Sequence, residues 1–334
     1  MTAATFAPPS LRGIADLPSA VRAFASLSGA CITGPAGRAL GWFAQGLPQR
    51  GREGAHLMAD DGETLHVRIS GTGPPIILLH GMGGSHVDWS KVSPALAADH
   101  RVFAWDARGH GGHPIGGDRA PTLERMARDL ANLIDHYALR APVLVGHSMG
   151  ALTVMQYLAD YGGANVRAVS FVDQSPRLVT DEHWRLGLFG AHSQEAHARV
   201  AQGLAENFPE TVLRELVGTL LPSLDARRVE RSVLRRAMRA ALARMDVAPI
   251  LAIWEALGRA DYRSLVAALR LPALVVLGGK STHYGGLPLA QYYRSAMPQA
   301  RVELYDHAGH SPHVQDAGRF AADLAHFVVE EAGR

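Results

Sequence analysis

Short apolar runs alternate with amphipathic stretches over most of the chain, starting at about residue 56. Residues 56–59 and 64–69 flank the tetrapeptide Asp60-Asp61-Gly62-Glu63 and read as a β-hairpin, two strand-like runs around a turn. Later runs fall at residues 75–79, 101–105, 142–145, 166–172, 271–277 and 301–305. Several are nearly apolar throughout, as strands buried on both faces of a parallel sheet must be. Between them lie helical patterns. Residues 93–98 form one, and 123–137 a clearer one with Met126, Leu130, Leu133 and Ile134 on a single face. Another follows Ala151, and the last covers 317–330. The alternation predicts an α/β fold with a doubly wound, mostly parallel sheet and right-handed crossovers.

Two regions depart from it. Residues 11–45 carry Leu17, Val21, Phe24 and Leu27 at helical spacing, and the pattern predicts a helical extension over 1–50 after a disordered tail at 1–10. Residues 177–260 are helical and strand-free, broken at Pro209, Pro222 and Pro249. They predict a helical cap inserted after the strand that ends at Asp173. The expected division is therefore an extension over 1–50, core over 51–176 and 261–334, and cap over 177–260.

Composition narrows the classes. The 334 residues are 47% hydrophobic, enough for a large core, and the formal net charge is +2. The arginines are scattered, so no nucleic-acid partner is expected. Seven of them fall between Arg227 and Arg244, where a solvated helix face is the reading taken over a site for an anionic substrate or partner. Cys31 stands alone, which excludes an intramolecular disulfide and gives no sign of an oxidising compartment. No apolar run approaches the ~20 residues of a membrane span. With no basic start followed by an apolar segment, cytoplasmic localisation is expected. A small-molecule substrate is the expected partner, and a homodimer formed through the extension stays open.

The chemistry gathers at Gly146-His147-Ser148-Met149-Gly150, between an apolar run and a helical one. A strand that reverses into a helix within a few residues leaves no room for side chains beside the apex. The strain holds the apical Ser148 hydroxyl clear of the backbone, and the following amide and helix N-terminus face any developing oxyanion. Three further motifs end strands. They are His80-Gly81-Met82-Gly83-Gly84-Ser85, Asp106-Ala107-Arg108-Gly109-His110-Gly111, and Ala308-Gly309-His310. His307, His310 and His313 are spaced by three, but Gly309 and Pro312 break the segment, so no metal is expected.

These motifs, in this order from about residue 55 onward, resemble the α/β-hydrolase superfamily with a cap domain. The resemblance implies Ser148 as nucleophile, His310 as base, and the amides of Met82 and Met149 as oxyanion hole. It implies that Gly81 and His147 shape those turns beside the substrate, that Asp106 and Arg108 are structural, and that no cofactor is needed. Trp184, in the apolar cap, is expected to line the substrate pocket. The acid departs from the family's pattern. Ser281 stands where relatives carry Asp, and no Asp or Glu occurs between Asp261 and Glu303. Some relatives place the acid after the strand following the elbow, and here that residue is Asp173. Asp306 is the second candidate, and a triad without an acid the third. The implied activity is hydrolysis of a moderately hydrophobic ester or lactone. Thioesterase and carbon–carbon hydrolase chemistry stand as alternatives, as does a receptor-like binding protein with a vestigial triad.

Overall fold

The protein is described here by a computed structural model covering residues 54–116, 120–220, 236, 239–240, 242–243 and 246–332. The expected extension over 1–50 and most of the Arg-rich stretch lie outside these residues. Eight strands form one sheet among the described residues. They are β1 (Ala55–Met58), β2 (Thr64–Ser70), β3 (Pro75–Leu79), β4 (Arg101–Asp106), β5 (Val143–His147), β6 (Ala168–Val172), β7 (Ala273–Gly278) and β8 (Arg301–Tyr305). Their order is β1-β2-β4-β3-β5-β6-β7-β8. β1 pairs antiparallel with β2 and β2 antiparallel with β4, while every later pairing is parallel. The expected fold is the one observed.

Burial explains which strands sit where. Every residue of β5, β6 and β7 is buried, whereas β2 alternates and the edge strand β8 is only half-buried apart from Tyr305. Alternate residues of each central strand feed opposite faces, as the two-residue period of a strand dictates. Ile77, Leu144, Phe171 and Val275 join one core cluster, while Ile76, Val145, Val172 and Val276 join the other. The first cluster is closed by helices α2 (Leu123–His136), α3 (Met149–Tyr161) and α8 (Gly286–Ala296). The second is closed by α1 (Ser93–Leu96) and by α10 (Ala317–Ala332), which follows the short helix α9 (Pro312–Gln315). Burying two apolar faces at roughly 25 cal/mol per Å² is the main source of stability for such a sheet.

Between β6 and β7 the described chain forms four helices, α4 (Gln194–Glu206), α5 (Phe208–Leu220), α6 (Val247–Arg259) and α7 (Arg263–Ala268). Arg177 and Asp261 meet in an isolated antiparallel bridge, so the insertion leaves and returns at one point. α4 is fastened to α6 by the His197 ring, stacked on Trp254 at 4.5 Å between centroids. Each residue also donates a ring N–H to the other's carbonyl, which leaves no polar atom of the buried pair to water in vain. Among the described residues no helix is long and apolar enough to cross a membrane.

Candidate active site

β5 ends at His147, and α3 begins at Met149, so one residue makes the whole reversal. That residue is Ser148, held at φ 52° and ψ −119°, a conformation costly for a residue with a side chain. Packing enforces it. A Cβ on Gly146 would collide with the Gly150 carbonyl, and one on Gly150 with the Leu79 carbonyl of β3. The Ser148 amide donates to the Val172 carbonyl of β6, which locks the apex to the neighbouring strand.

His310 comes from the loop after β8 and reaches both partners. Its Nδ1 lies 2.7 Å from Asp173 Oδ2 and its Nε2 3.1 Å from Ser148 Oγ. Because Asp173 accepts, Nδ1 carries the proton and Nε2 presents its lone pair to the serine hydroxyl. Burial pushes the His310 imidazole down to about 4, so it is neutral at neutral pH and free to accept a proton. The His147 Nε2–H donates to the His310 carbonyl at 2.7 Å and fixes the loop bearing His310 against the elbow.

Asp173 follows β6 in a left-handed conformation, φ 44°, with its side chain fully buried. Its carboxylate takes three donors. Gly278 N–H binds Oδ1 at 2.8 Å, while Ser281 Oγ–H at 2.6 Å and His310 share Oδ2. Burial raises the Asp173 carboxyl to about 6, and the Ser281 and Gly278 donors resist a larger rise. Ser281, which occupies the usual acid position in the sequence, therefore donates to an acid supplied from the neighbouring strand. Asp306 is exposed, and His310 Nδ1 is already occupied by Asp173.

The second strand-end motif lies against the elbow. A Cβ on Gly81 would fall 2.8 Å from His147 Nδ1 and 3.2 Å from the Ser148 Cβ, so only glycine allows this approach. The turn holding Met82 closes through Gly84 N–H to the Gly81 carbonyl. His80 pins it to the sheet, donating from Nδ1 to the Gly81 carbonyl and accepting the Ala107 amide at Nε2. Met149 opens α3, whose N-terminal dipole favours negative charge at this spot.

Other expected residues are placed elsewhere. Trp184 does not join the cluster: its indole N–H donates to the Arg177 carbonyl, its ring meets Tyr292 edge-on, and Arg263 covers it. An amphipathic Trp at the root of the insertion satisfies both its ring and its N–H by anchoring that segment to α7 and α8. Asp106 accepts the backbone and ring N–H groups of His86, and Arg108 is buried in an ion pair with Asp129, as their structural reading requires. His313 is buried between Trp89 and His147. Among the described residues no cluster of three His, Cys, Asp or Glu is arranged to hold a metal.

Sequence reasoning missed two groups. One is the Ser281 hydroxyl on the acid. The other is His283, whose ring stacks on His310 at 3.9 Å between centroids and 9° between planes. No signal in the sequence points to the first, because the close approach of Gly278 to the Gly309 carbonyl leaves the Ser281 side chain unspecified. No signal in the sequence points to the second.

The site sits at the carboxyl ends of β3, β5, β6 and β7 beside the loop after β8, with Asp173 and His310 both supplied from the β6–β8 side of the elbow strand. Residues 74–317 match the family model described as alpha/beta hydrolase fold, and the chain belongs to that family. It is similar to a pimeloyl-(acyl-carrier protein) methyl ester esterase of Pseudoalteromonas atlantica, 25% identical over 261 residues covering 78% of this chain and 96% of the relative. It is also similar to the 3-oxoadipate enol-lactonase 1 of Acinetobacter baylyi, 26% identical over 269 residues covering 80% and 94%. Among solved structures, an esterase from Exiguobacterium antarcticum shares the fold with a TM-score of 0.69 at 19% identity, over 83% of this chain and 99% of that one.

Proposed function

We propose that this chain is a serine hydrolase that cleaves a carboxylic ester or lactone of a moderately hydrophobic small molecule through an acyl-serine. The carrying observation is the unbroken hydrogen-bond chain from Ser148 Oγ through His310 to the Asp173 carboxylate. Ser148 Oγ attacks the carbonyl carbon as its proton passes to His310 Nε2. Asp173 keeps the imidazole in the required tautomer and stabilises the imidazolium. The oxyanion is received by the Met82 and Met149 amides. Collapse breaks the carbonyl carbon–oxygen bond, and the leaving alkoxide takes the proton back from Nε2. Water, deprotonated by the same nitrogen, then releases the acid and restores Ser148.

The similar proteins named above as a methyl ester esterase and an enol-lactonase both support acyl carbon–oxygen cleavage. Thioester and carbon–carbon substrates use the same triad and belong in the same assay. The receptor-like reading rested on the missing carboxylate after β7, and Asp173 fills that need geometrically. Cytoplasmic residence belongs to this reading as well.

The test is intact mass with peptide mapping after exposure to a fluorophosphonate, followed by a panel of esters, lactones and thioesters. Stoichiometric labelling at Ser148 with turnover of oxygen esters supports the proposal. An unlabelled protein overturns it.

A further inference from the structure

We propose that His283 is a positioning residue: its ring sets the plane of the His310 imidazole and ties it to the Leu188–Gly190 turn of the insertion. The inference rests on the reading of Ser148 and His310 as nucleophile and base.

The two triad contacts of His310 run through opposite ring nitrogens, to Asp173 Oδ2 and Ser148 Oγ. They fix a line through the ring but leave it free to roll about that line. A roll turns the Nε2 lone pair away from the serine hydroxyl, and misplacements of about 1 Å cost about a hundredfold in rate. A parallel face against the ring removes this freedom. Among the described residues His283 supplies that face, at 3.9 Å and 9°. The other rings around His310 are steeply tilted, His147 by 50° and Tyr284 by 55°.

The stack suits each stage of the cycle. Both rings are neutral at rest, since burial holds each imidazole below its ordinary value. When His310 takes the serine proton, the neutral face of His283 meets a cation, and such contact is attractive. The ring acts through its face. His283 Nδ1 is buried without a hydrogen-bond partner among the described residues.

His283 is in turn held by the insertion. The Phe189 amide donates to the His283 carbonyl at 2.7 Å, and the two rings lie 5.5 Å apart. Phe189 itself is in the left-handed region, φ 56°, yet is 41% exposed. A strained, partly exposed aromatic at the root of the insertion thus packs on the residue that stacks on His310.

The test compares His283→Ala, His283→Phe and wild type by fluorophosphonate labelling of Ser148 and by kcat and KM on para-nitrophenyl butyrate across pH. His283→Ala should lower kcat and labelling rate by about ten- to a hundredfold with KM changed by less than about threefold. Its acid limb, which reports the coupled His310–Asp173 pair, should also shift, because water admitted beside His310 changes the burial that displaces both groups. The titratable groups facing His310 are Asp173 from β6, His147 from β5, His283 and Tyr284 from the loop after β7, and His313 after the base. All but His283 are unchanged in these variants. His283→Phe, which keeps a planar face, should recover wild-type kcat and pH limb to within about threefold. If His283→Ala does not fold, His283→Leu takes its place with the same expectation, since it fills volume without a planar face. Wild-type rates in the Ala or Leu variant overturn the inference alone. A Phe variant as impaired as the Ala variant also overturns it, because the ring nitrogens would then matter. A wild type that does not label overturns both this inference and the reading beneath it.

Discussion

The ends of β6 and β7 lie side by side and exchange the parts that the family's pattern assigns to them. After β7, where an acid is expected, stands Ser281, a neutral donor. After β6 stands Asp173, buried and bound to His310. What His310 needs is a carboxylate at one point in space, and two adjacent parallel strands both deliver a side chain there. This geometry predicts that either strand can supply the charge while the other supplies a proton donor. A buried carboxylate with His310 as its one donor would be expensive to ionise, and the Ser281 hydroxyl and Gly278 amide offset that cost.

The largest effect should come from removing the charge itself. Asp173→Asn should lower kcat by about 10⁴, close to 5 kcal/mol of barrier, while thermal unfolding shifts little because the isosteric amide fills the same volume. Steady-state kinetics beside a melting curve separates the two. A variant with near-wild-type kcat breaks the comparison.

The next prediction reverses the exchange. Ser281 Oγ is 2.6 Å from the carboxylate oxygen that meets His310, so a carboxylate at position 281 enters nearly the same space. Ser281→Asp in the Asp173→Asn background should recover about ten- to a hundredfold of the lost kcat, by restoring an anion beside the imidazolium. In the wild-type background the same substitution crowds two carboxylates and should instead depress activity. No recovery in the double variant would mean that the two strand ends are not interchangeable.

Much of this arrangement was legible in the sequence. The central strands declare themselves because burial on both faces demands an apolar residue at every position. The elbow declares itself because Gly146 and Gly150 are required by backbone contacts that glycine alone permits. Asp173 was reachable through the resemblance, because some relatives carry the acid after the strand following the elbow and no carboxylate lies between Asp261 and Glu303. The hydroxyl of Ser281 on Asp173 and the stack of His283 on His310 were not reachable. Both join residues from different strand ends, and local periodicity carries no information about which side chains converge at a sheet's edge. The contacts of Trp184 were not reachable for a related reason. An apolar residue in an insertion marks burial without telling which surface buries it.

The pH dependence tests the donor half of the exchange. The His310–Asp173 pair must hold one proton, on Nδ1, for His310 to act as base, and uptake of a second proton stops the reaction. With the Asp173 carboxyl raised to about 6 by burial, kcat/KM should fall as pH drops through about 6. The Ser281 hydroxyl lowers that value, so Ser281→Ala should move the limb upward and reduce activity at neutral pH by about three- to tenfold. A limb that stays in place would remove Ser281 from the acid's support.

The smallest effect distinguishes a residue of the site from one that only holds the insertion. Trp184 packs on Tyr292 and under Arg263, with its N–H on the Arg177 carbonyl, and none of these groups touches the triad. Trp184→Phe keeps an aromatic ring but leaves the carbonyl with the Ser175 hydroxyl as its remaining donor. It should cost about 1 kcal/mol of stability, seen as a lowered melting temperature. Its kcat and KM should stay within about twofold of wild type, because no interaction with substrate or transition state is removed. A several-fold rise in KM at unchanged kcat would return Trp184 to the substrate pocket. The insertion would then serve recognition at its root, and the division of labour between strand ends and insertion would have to be redrawn.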